Sequence, residues 1–270
     1  MLNNTQGNDQ NSNVGNRNHN VGRPPNFSNW NPSPKFKSLL GNDPDDISTG
    51  ICVLLGSARS GKSTMMLSLV EWAAYNTNRK FAFIGLPNSY IEALPKFIRD
   101  RATNPKMHEL SQLRDCIVIL DDTAATLSSK DSISTQGKFL SRIAGVISHL
   151  VLTLILTVQS MAGLDLSLMR FTEMAVSIKR VDPMALRMER SEWSNEVKDG
   201  QIELSYYNFD RSLYFCLSSG LVCAHPFRKW MGKDILSRPF RYLDQKELNN
   251  IIDGVNTKAK ITRGIQNETK

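Results

Sequence analysis

Five apolar residues, Ile51-Cys52-Val53-Leu54-Leu55, run without a break into Gly56-Ser57-Ala58-Arg59-Ser60-Gly61-Lys62-Ser63-Thr64. Behind that loop Met66, Leu67, Val70 and Ala74 recur on one helical face across 63–76. An apolar strand, a glycine-framed loop and a helix in immediate succession leave few folds open. A strand apolar at every position has to be covered on both faces, which is the condition of a strand inside a parallel sheet flanked by helices. Apolar runs at 81–86, 116–120, 151–158 and 174–179 repeat the pattern, with amphipathic segments between them, as expected of βαβ units. Phe139, Leu140, Ile143, Ala144 and Ile147 supply the period of another crossover helix.

The loop predicts its own ligand. In Gly56-x-x-x-x-Gly61-Lys62-Ser63 the glycines let backbone N–H groups wrap an anion, and the following helix N-terminus adds partial positive charge. Gly56, Ser57, Ala58, Arg59, Ser60, Gly61, Lys62, Ser63 and Thr64 form the expected nucleotide-binding set. Lys62 is placed to reach the β and γ phosphates, Ser63 to hold Mg²⁺ through its hydroxyl, and Thr64 to support the α-phosphate side. Arg59 either flanks the nucleotide or is an exposed charge. The Asn-Lys-x-Asp pattern that reads guanine is missing, so the expected ligand is ATP with Mg²⁺.

Such a site needs a buried strand ending in an acid, and Cys116-Ile117-Val118-Ile119-Leu120-Asp121-Asp122 has that form. Asp121 is expected at the metal and Asp122 at the attacking water, as the group that orients or deprotonates it. The run 151–158 ends in Gln159-Ser160, and ligands of open α/β sheets sit beyond the carboxyl ends of the strands. Gln159 is therefore expected near the γ phosphate, against the plainer alternative of a polar strand cap. The fold class that follows is α/β, a P-loop NTPase with a mostly parallel central sheet flanked by helices, of the RecA-like, additional-strand type.

Outside this core, 1–34 is rich in Asn, Gly, Ser and Pro and reads as a disordered tail, with Phe27 and Trp30 as its aromatic anchors. The ATPase domain is expected over 35–255, with its core at 50–180 and a C-terminal extension at 181–255, followed by a flexible tail at 256–270. Within the extension, Asp182-Pro183 reads as N-cap and first residue of a helix reaching about Glu196. Segments 201–207 and 212–217 read as a β-hairpin, and 245–252 as a last helix. Cys216, Cys223 and His225 lack the paired short spacings of a zinc module. The longest apolar run, 150–158, is too short to cross a membrane. Free cysteines and the lack of a signal pattern place the chain, as an expectation, in an intracellular compartment. Lys and Arg outnumber Asp and Glu by 33 to 26, a formal charge of +7 that favours anionic partners.

The strand ends Asp121-Asp122 and Thr157-Val158-Gln159-Ser160, with the tract Met161-Ala162-Gly163-Leu164-Asp165-Leu166-Ser167-Leu168-Met169-Arg170 behind them, resemble the FtsK/HerA-like superfamily. Within it, the likeness is to the poxvirus-type genome-packaging ATPases of double-stranded DNA viruses, and it covers about 50–180. The resemblance implies a homo-oligomeric ring, pentamer or hexamer, that hydrolyses ATP while moving double-stranded DNA into a preformed capsid in the cytoplasm of an infected cell. It implies capsid or coat protein as a partner and Arg170 as the arginine that completes a neighbour's site. Arg180, Arg142 and Arg99 compete for that role, and a surface ion pair is the alternative. The polar segment 123–136 is then expected to line a pore or to contact DNA phosphates through Lys130 and nearby Lys138, with a plain loop as the alternative. The zonula-occludens-toxin-like proteins share a related core and imply an export or virion-morphogenesis ATPase instead.

Overall fold

The computed structural model describes residues 30–41, 49–86, 88–121, 147–164, 173–189 and 191–236. In chain order these form α1 (Pro34–Leu40), β1 (Gly50–Leu55), α2 (Lys62–Asn76), β2 (Lys80–Phe83), α3 (Asn88–Ala93), α4 (Lys96–Arg99), β3 (Ala102–Thr103), β4 (Cys116–Leu120), α5 (Ile147–Leu150) and β5 (Leu152–Val158). They continue with β6 (Met174–Ile178), α6 (Pro183–Arg187), α7 (Ser191–Ser205), β7 (Leu213–Cys216), β8 (Leu221–Ala224) and α8 (Lys233–Leu236).

The strands join in one eight-stranded sheet of order β3-β2-β4-β5-β1-β6-β7-β8. From β3 to β6 every pairing is parallel, and β7 and β8 are added antiparallel at one edge. The α/β fold expected from the apolar runs is present, and β5 is the additional strand between the loop-bearing β1 and the acid-bearing β4. Alternate residues of β1 point to opposite faces: Ile51, Val53 and Leu55 enter a core with Val118, Leu154, Val197 and Phe215, while Cys52 and Leu54 enter one with Met66, Val70, Phe83 and Tyr90. Two cores on one sheet explain why β1, β4 and β5 carry no exposed position at all.

Several expected boundaries move for local reasons. The strand at 81–86 ends at Phe83 because, after Ile84 N makes one more bond to Ile119 O (3.0 Å), Gly85 turns the chain at φ 75°. Asp182 does cap Met184 N (2.9 Å) with Pro183 as the first helical residue, but α6 ends at Arg187 and α7 starts anew at Ser191. The hairpin expected from 201–207 and 212–217 is corrected. Residues 201–205 are the last turns of α7, whose Val197, Gly200 and Leu204 are buried at helical spacing. The hairpin is β7–β8, turned through Gly220 at φ 64° with Gly220 N on Cys216 O (2.9 Å). The 201–205 alternation is a by-product of the helical face, and it is too short to separate the two periods.

The expected tail also begins its packing earlier than 34. Trp30 Nε1 donates to Ala224 O (2.6 Å), Ser33 Oγ accepts from Cys216 Sγ (3.3 Å), and Phe36, Leu39 and Leu40 of α1 are fully buried. The helix expected at 245–252, most of the crossover helix from Phe139 and the loop 123–136 lie outside the described residues. Among the described residues no helix is long and apolar enough to cross a membrane.

At the N-terminal ends of the strands one buried guanidinium gathers the chain. Arg79, 1% exposed, donates to Cys116 O (3.2 Å), Val151 O (2.8 Å), Leu39 O (3.3 Å) and Thr153 Oγ1 (2.7 Å), and its Nε lies 3.2 Å from Asp115 Oδ1. Cys116 O opens β4, Val151 O precedes β5 and Leu39 O belongs to α1, so Arg79 ties the starts of those two strands to α1. Replacing Arg79 by Ala removes a donor from each of these acceptors and the ionic partner of Asp115. It is expected to lower unfolding stability by about 3 kcal/mol, and an unchanged urea midpoint would refute that role.

Candidate functional site

The loop between β1 and α2 is built by backbone bonds to both neighbouring strands. Gly56 N donates to Val158 O at the end of β5 (3.0 Å), and Ser57 N donates to Arg180 O just past β6 (2.9 Å). Ser57 Oγ accepts from Asp182 N, which ties the loop to the start of α6. A Cβ on Gly56 would fall 2.7 Å from Ser60 Oγ, and one on Gly61 would fall 2.6 Å from Arg211 O, with Gly61 held at φ 94° as the N-cap of α2. Both glycines are therefore required by close approach, and Gly61 by its left-handed backbone as well. Lys62 is buried, and its Nζ donates to Gly56 O (2.7 Å) and Ser57 O (2.8 Å), folded over the loop it belongs to. Ala58 and Arg59 are exposed at the tip, Arg59 with φ 62°.

The acid-bearing strand meets the loop through a hydroxyl. Asp121 Oδ1 accepts from Ser63 Oγ (3.1 Å) and from Thr157 Oγ1 (2.7 Å). The pairing of Leu120 with Leu156 and of Leu55 with Val158 brings the C-terminal ends of β4, β5 and β1 to one level, so one residue beyond β4 lands beside Thr157. Thr157 was missed from the sequence because it is one Thr in a buried apolar strand. The structure thus brings together Gly56, Ser57, Ser60, Gly61, Lys62, Ser63, Thr64 and Asp121. Gln159 is exposed at the carboxyl end of β5. Asp122 and Arg170 lie outside the described residues, as does Arg142. Of the other arginines considered, Arg99 donates to Glu92 O (2.9 Å), and the Arg180 guanidinium lies over the Phe209 ring.

Whether the residues fit a nucleotide and a divalent cation can be read from the atoms. Ser60 Oγ is buried without a hydrogen-bond partner among the described residues, inside a cradle that a Cβ on Gly56 would fill. An orphaned hydroxyl there suits an incoming phosphate oxygen. Ser63 Oγ and the Asp121 carboxylate form an adjacent pair of hard oxygen donors, the set that Mg²⁺ takes together with phosphate oxygens. Both groups fit.

Two further residues had no sequence signal. Glu189, in the break between α6 and α7, accepts from Ser160 Oγ (3.1 Å) and Met161 N (3.0 Å) on Oε2 and from Ala162 N (2.9 Å) on Oε1. It clamps the turn that directly follows Gln159. Lys179 is fully buried under the loop and donates to Arg211 O (2.6 Å) and Leu213 O (3.0 Å), with His225 Nε2 at 2.8 Å. His225 Nε2 also lies 3.0 Å from Arg211 O, and its Nδ1 lies 3.3 Å from Pro226 O. His225 therefore serves Lys179, and Cys216 bonds Ser33 and Ser218. Among the described residues no group of His, Cys, Asp and Glu is arranged to hold a metal by itself.

Burial pushes the Lys179 amine down to about 7, against the pull of Asp210 and with a further push from Lys62. Burial, and then Lys179, push His225 down to about 3. Both groups bind their protons less tightly in the folded protein than in the unfolded chain. Between about pH 7 and the ordinary lysine value of 10.5 the unfolded state holds the extra proton, so stability rises with pH across that window. Below about pH 7 the burial cost is present in full. The stability of the native protein relative to a Lys179→Met variant is expected to increase between pH 7 and pH 10 in urea titrations, and a constant difference would contradict it.

No protein-family model matches the chain, and no curated protein matches it. Among solved structures, the chain is similar to the DNA-packaging ATPase B204 of Sulfolobus Turreted Icosahedral Virus, at 13% identity and a TM-score of 0.44 over 66% of this chain and 98% of that one. It is similar to the N-terminal domain of zonular occludens toxin from Neisseria meningitidis at 13% identity and a TM-score of 0.36, over 67% of this chain and 95% of that one. The cytoplasmic domain of EssC aligns at 19% identity and a TM-score of 0.37, over 52% of this chain and 33% of that one. Likeness at this level carries neither fold nor function; the α/β P-loop fold stands on the strand order, the loop geometry and the contact between Ser63 and Asp121.

Proposed function

We propose that the chain is a Mg²⁺-dependent ATPase that translocates double-stranded DNA, packaging a viral genome into a preformed capsid. The observation that carries the nucleotide chemistry is the meeting of Ser63 and Thr157 on Asp121 directly beside the loop of Lys62. In this reading the backbone N–H groups of 56–64 and the N-terminus of α2 bind the phosphates, and Lys62 exchanges its bonds to Gly56 O and Ser57 O for β and γ phosphate oxygens. Ser63 and Asp121 hold the cation, and Thr157 fixes the carboxylate by occupying one of its lone pairs. The bound cation neutralises charge on the β and γ phosphates. Asp122 accepts the proton of the attacking water, Gln159 orients that water, and Arg170 of a neighbouring copy in a ring stabilises the charge on the transferring group.

Support for the DNA and capsid half of the proposal comes from the tract 159–170, with its resemblance to packaging ATPases, and from the excess of basic residues. Arg228 does not contribute a free charge, since it pairs with Glu71 (Nε to Oε1, 3.2 Å), whereas Lys229 is exposed. Purified protein is expected to hydrolyse ATP faster when double-stranded DNA is added and to bind capsid protein; turnover indifferent to DNA with no capsid association would sink the motor reading.

Two substitutions separate the roles. Lys62→Ala is expected to weaken nucleotide binding and abolish turnover together, because the ammonium contacts ground-state phosphates. Asp122→Asn is expected to keep ATP bound while turnover falls roughly a hundredfold or more, the effect of removing a positioned base. Loss of binding in the second variant would mean that Asp121 and Asp122 carry each other's roles.

A further inference from the structure

The loop, Ser63 and Asp121 account for the phosphate end of the site and leave the nucleoside end unassigned. The order of residues gives the direction. Lys62 lies over Gly56 and Ser57, Ser63 faces Asp121, and Thr64 follows on the next step of α2, so sugar and base extend beyond Thr64. A cavity of about 740 Å³ opens there, with Gly61 to Thr64 on one side and Arg211, His225, Phe227 and Leu236 on the other.

The far wall is held rigidly. The buried Lys179 ammonium ties Arg211 O and His225 to the underside of Gly61. His225 N donates to Ser212 O (2.8 Å), Pro226 O accepts from Ser68 Oγ of α2 (2.9 Å), and Arg228 pairs with Glu71 of the same helix. Phe227 sits between these anchors. His225 and Pro226 before it are buried, yet Phe227 is 62% exposed as a residue and lines the cavity, with no ring contact among the described residues. A large aromatic held out to water on a fixed backbone gives up hydrophobic stabilisation that the folded chain does not recover. A planar π-face against the purine or pyrimidine of a nucleotide recovers it.

We infer that this cavity is the nucleoside subsite and that Phe227 is the platform on which the base stacks. The inference rests on the reading of 56–64 as the triphosphate site. The exposed position of Phe227 makes its substitution harmless to the core, so binding can be compared on intact protein.

The test measures Mg²⁺-ATP and Mg²⁺-tripolyphosphate binding by calorimetry on the full chain, as the native protein and as Phe227→Ala, Phe227→Trp and Lys62→Ala variants. Phe227→Ala is expected to weaken ATP roughly tenfold, the order of one lost base–aromatic stack, and to leave tripolyphosphate unchanged, with Phe227→Trp restoring ATP. Equal ATP affinity in Phe227→Ala and native protein overturns the subsite, as does a parallel loss of ATP and tripolyphosphate. Failure of the underlying triphosphate reading has its own signature, tripolyphosphate binding that Lys62→Ala does not weaken, and that result overturns both.

Discussion

The site depends on the parallel register of three strands. β5 lies between β1 and β4, pairing Leu55 with Val158 on one side and Leu120 with Leu156 on the other. Because of those pairings Gly56 N meets Val158 O, and Asp121 meets Thr157. A slip of one residue in β5 would turn Thr157 to the opposite face and bring Leu156 or Val158 to the carboxylate. The cost of such a slip is high because every residue of β5 is buried, Leu152, Leu154, Ile155, Leu156 and Val158 in one of two cores. The apolar character that identified the strand is also what fixes the chemistry at its end.

Two buried cations brace the sheet at opposite ends, and the same physics gives them different consequences. Arg79, at the N-terminal ends, spends its fork on backbone carbonyls and on Thr153, with Asp115 as its ionic partner. Lys179, at the C-terminal end of β6, has only neutral acceptors within reach, two carbonyls and an imidazole. A guanidinium beside a carboxylate holds its charge through burial, whereas an amine among neutral acceptors is drawn toward the neutral form. The N-terminal end of the sheet therefore has a fixed charge and the C-terminal end a titratable one.

How much of this was legible depends on whether local pattern and tertiary contact agree. In β1, β4 and β5 they agree: continuous apolar runs are buried on both faces, and their boundaries fall within a residue of expectation. The loop 56–64 was legible as a tight strand-to-helix connection for the same reason, since strand, glycine spacing and helix all point to one geometry. Residues 201–205 misled because α7 exposes most of its surface, so the alternation of its last turns outweighed the buried Val197, Gly200 and Leu204. Lys179, in Ser177-Ile178-Lys179-Arg180, has the look of a solvated strand end, and nothing local foretells the carbonyls of Arg211 and Leu213 that bury it. His225 drew attention only as a neighbour of two cysteines, because its real partner lies 46 positions away.

These misses share a location. Lys179, Glu189, Arg211 and His225 all belong to the junction between the core at 50–180 and the extension after 181, two stretches of the one expected domain. Contacts tie the two together. Glu189 satisfies three donors in the turn behind Gln159, Asp182 N bonds Ser57 of the loop, and Arg211 O sits within van der Waals reach of Gly61. Each is a contact from the extension to a strand end or to the loop 56–64. The loop 56–64 is held from both stretches, so the chain cannot be cut between 180 and 181 without loosening that loop.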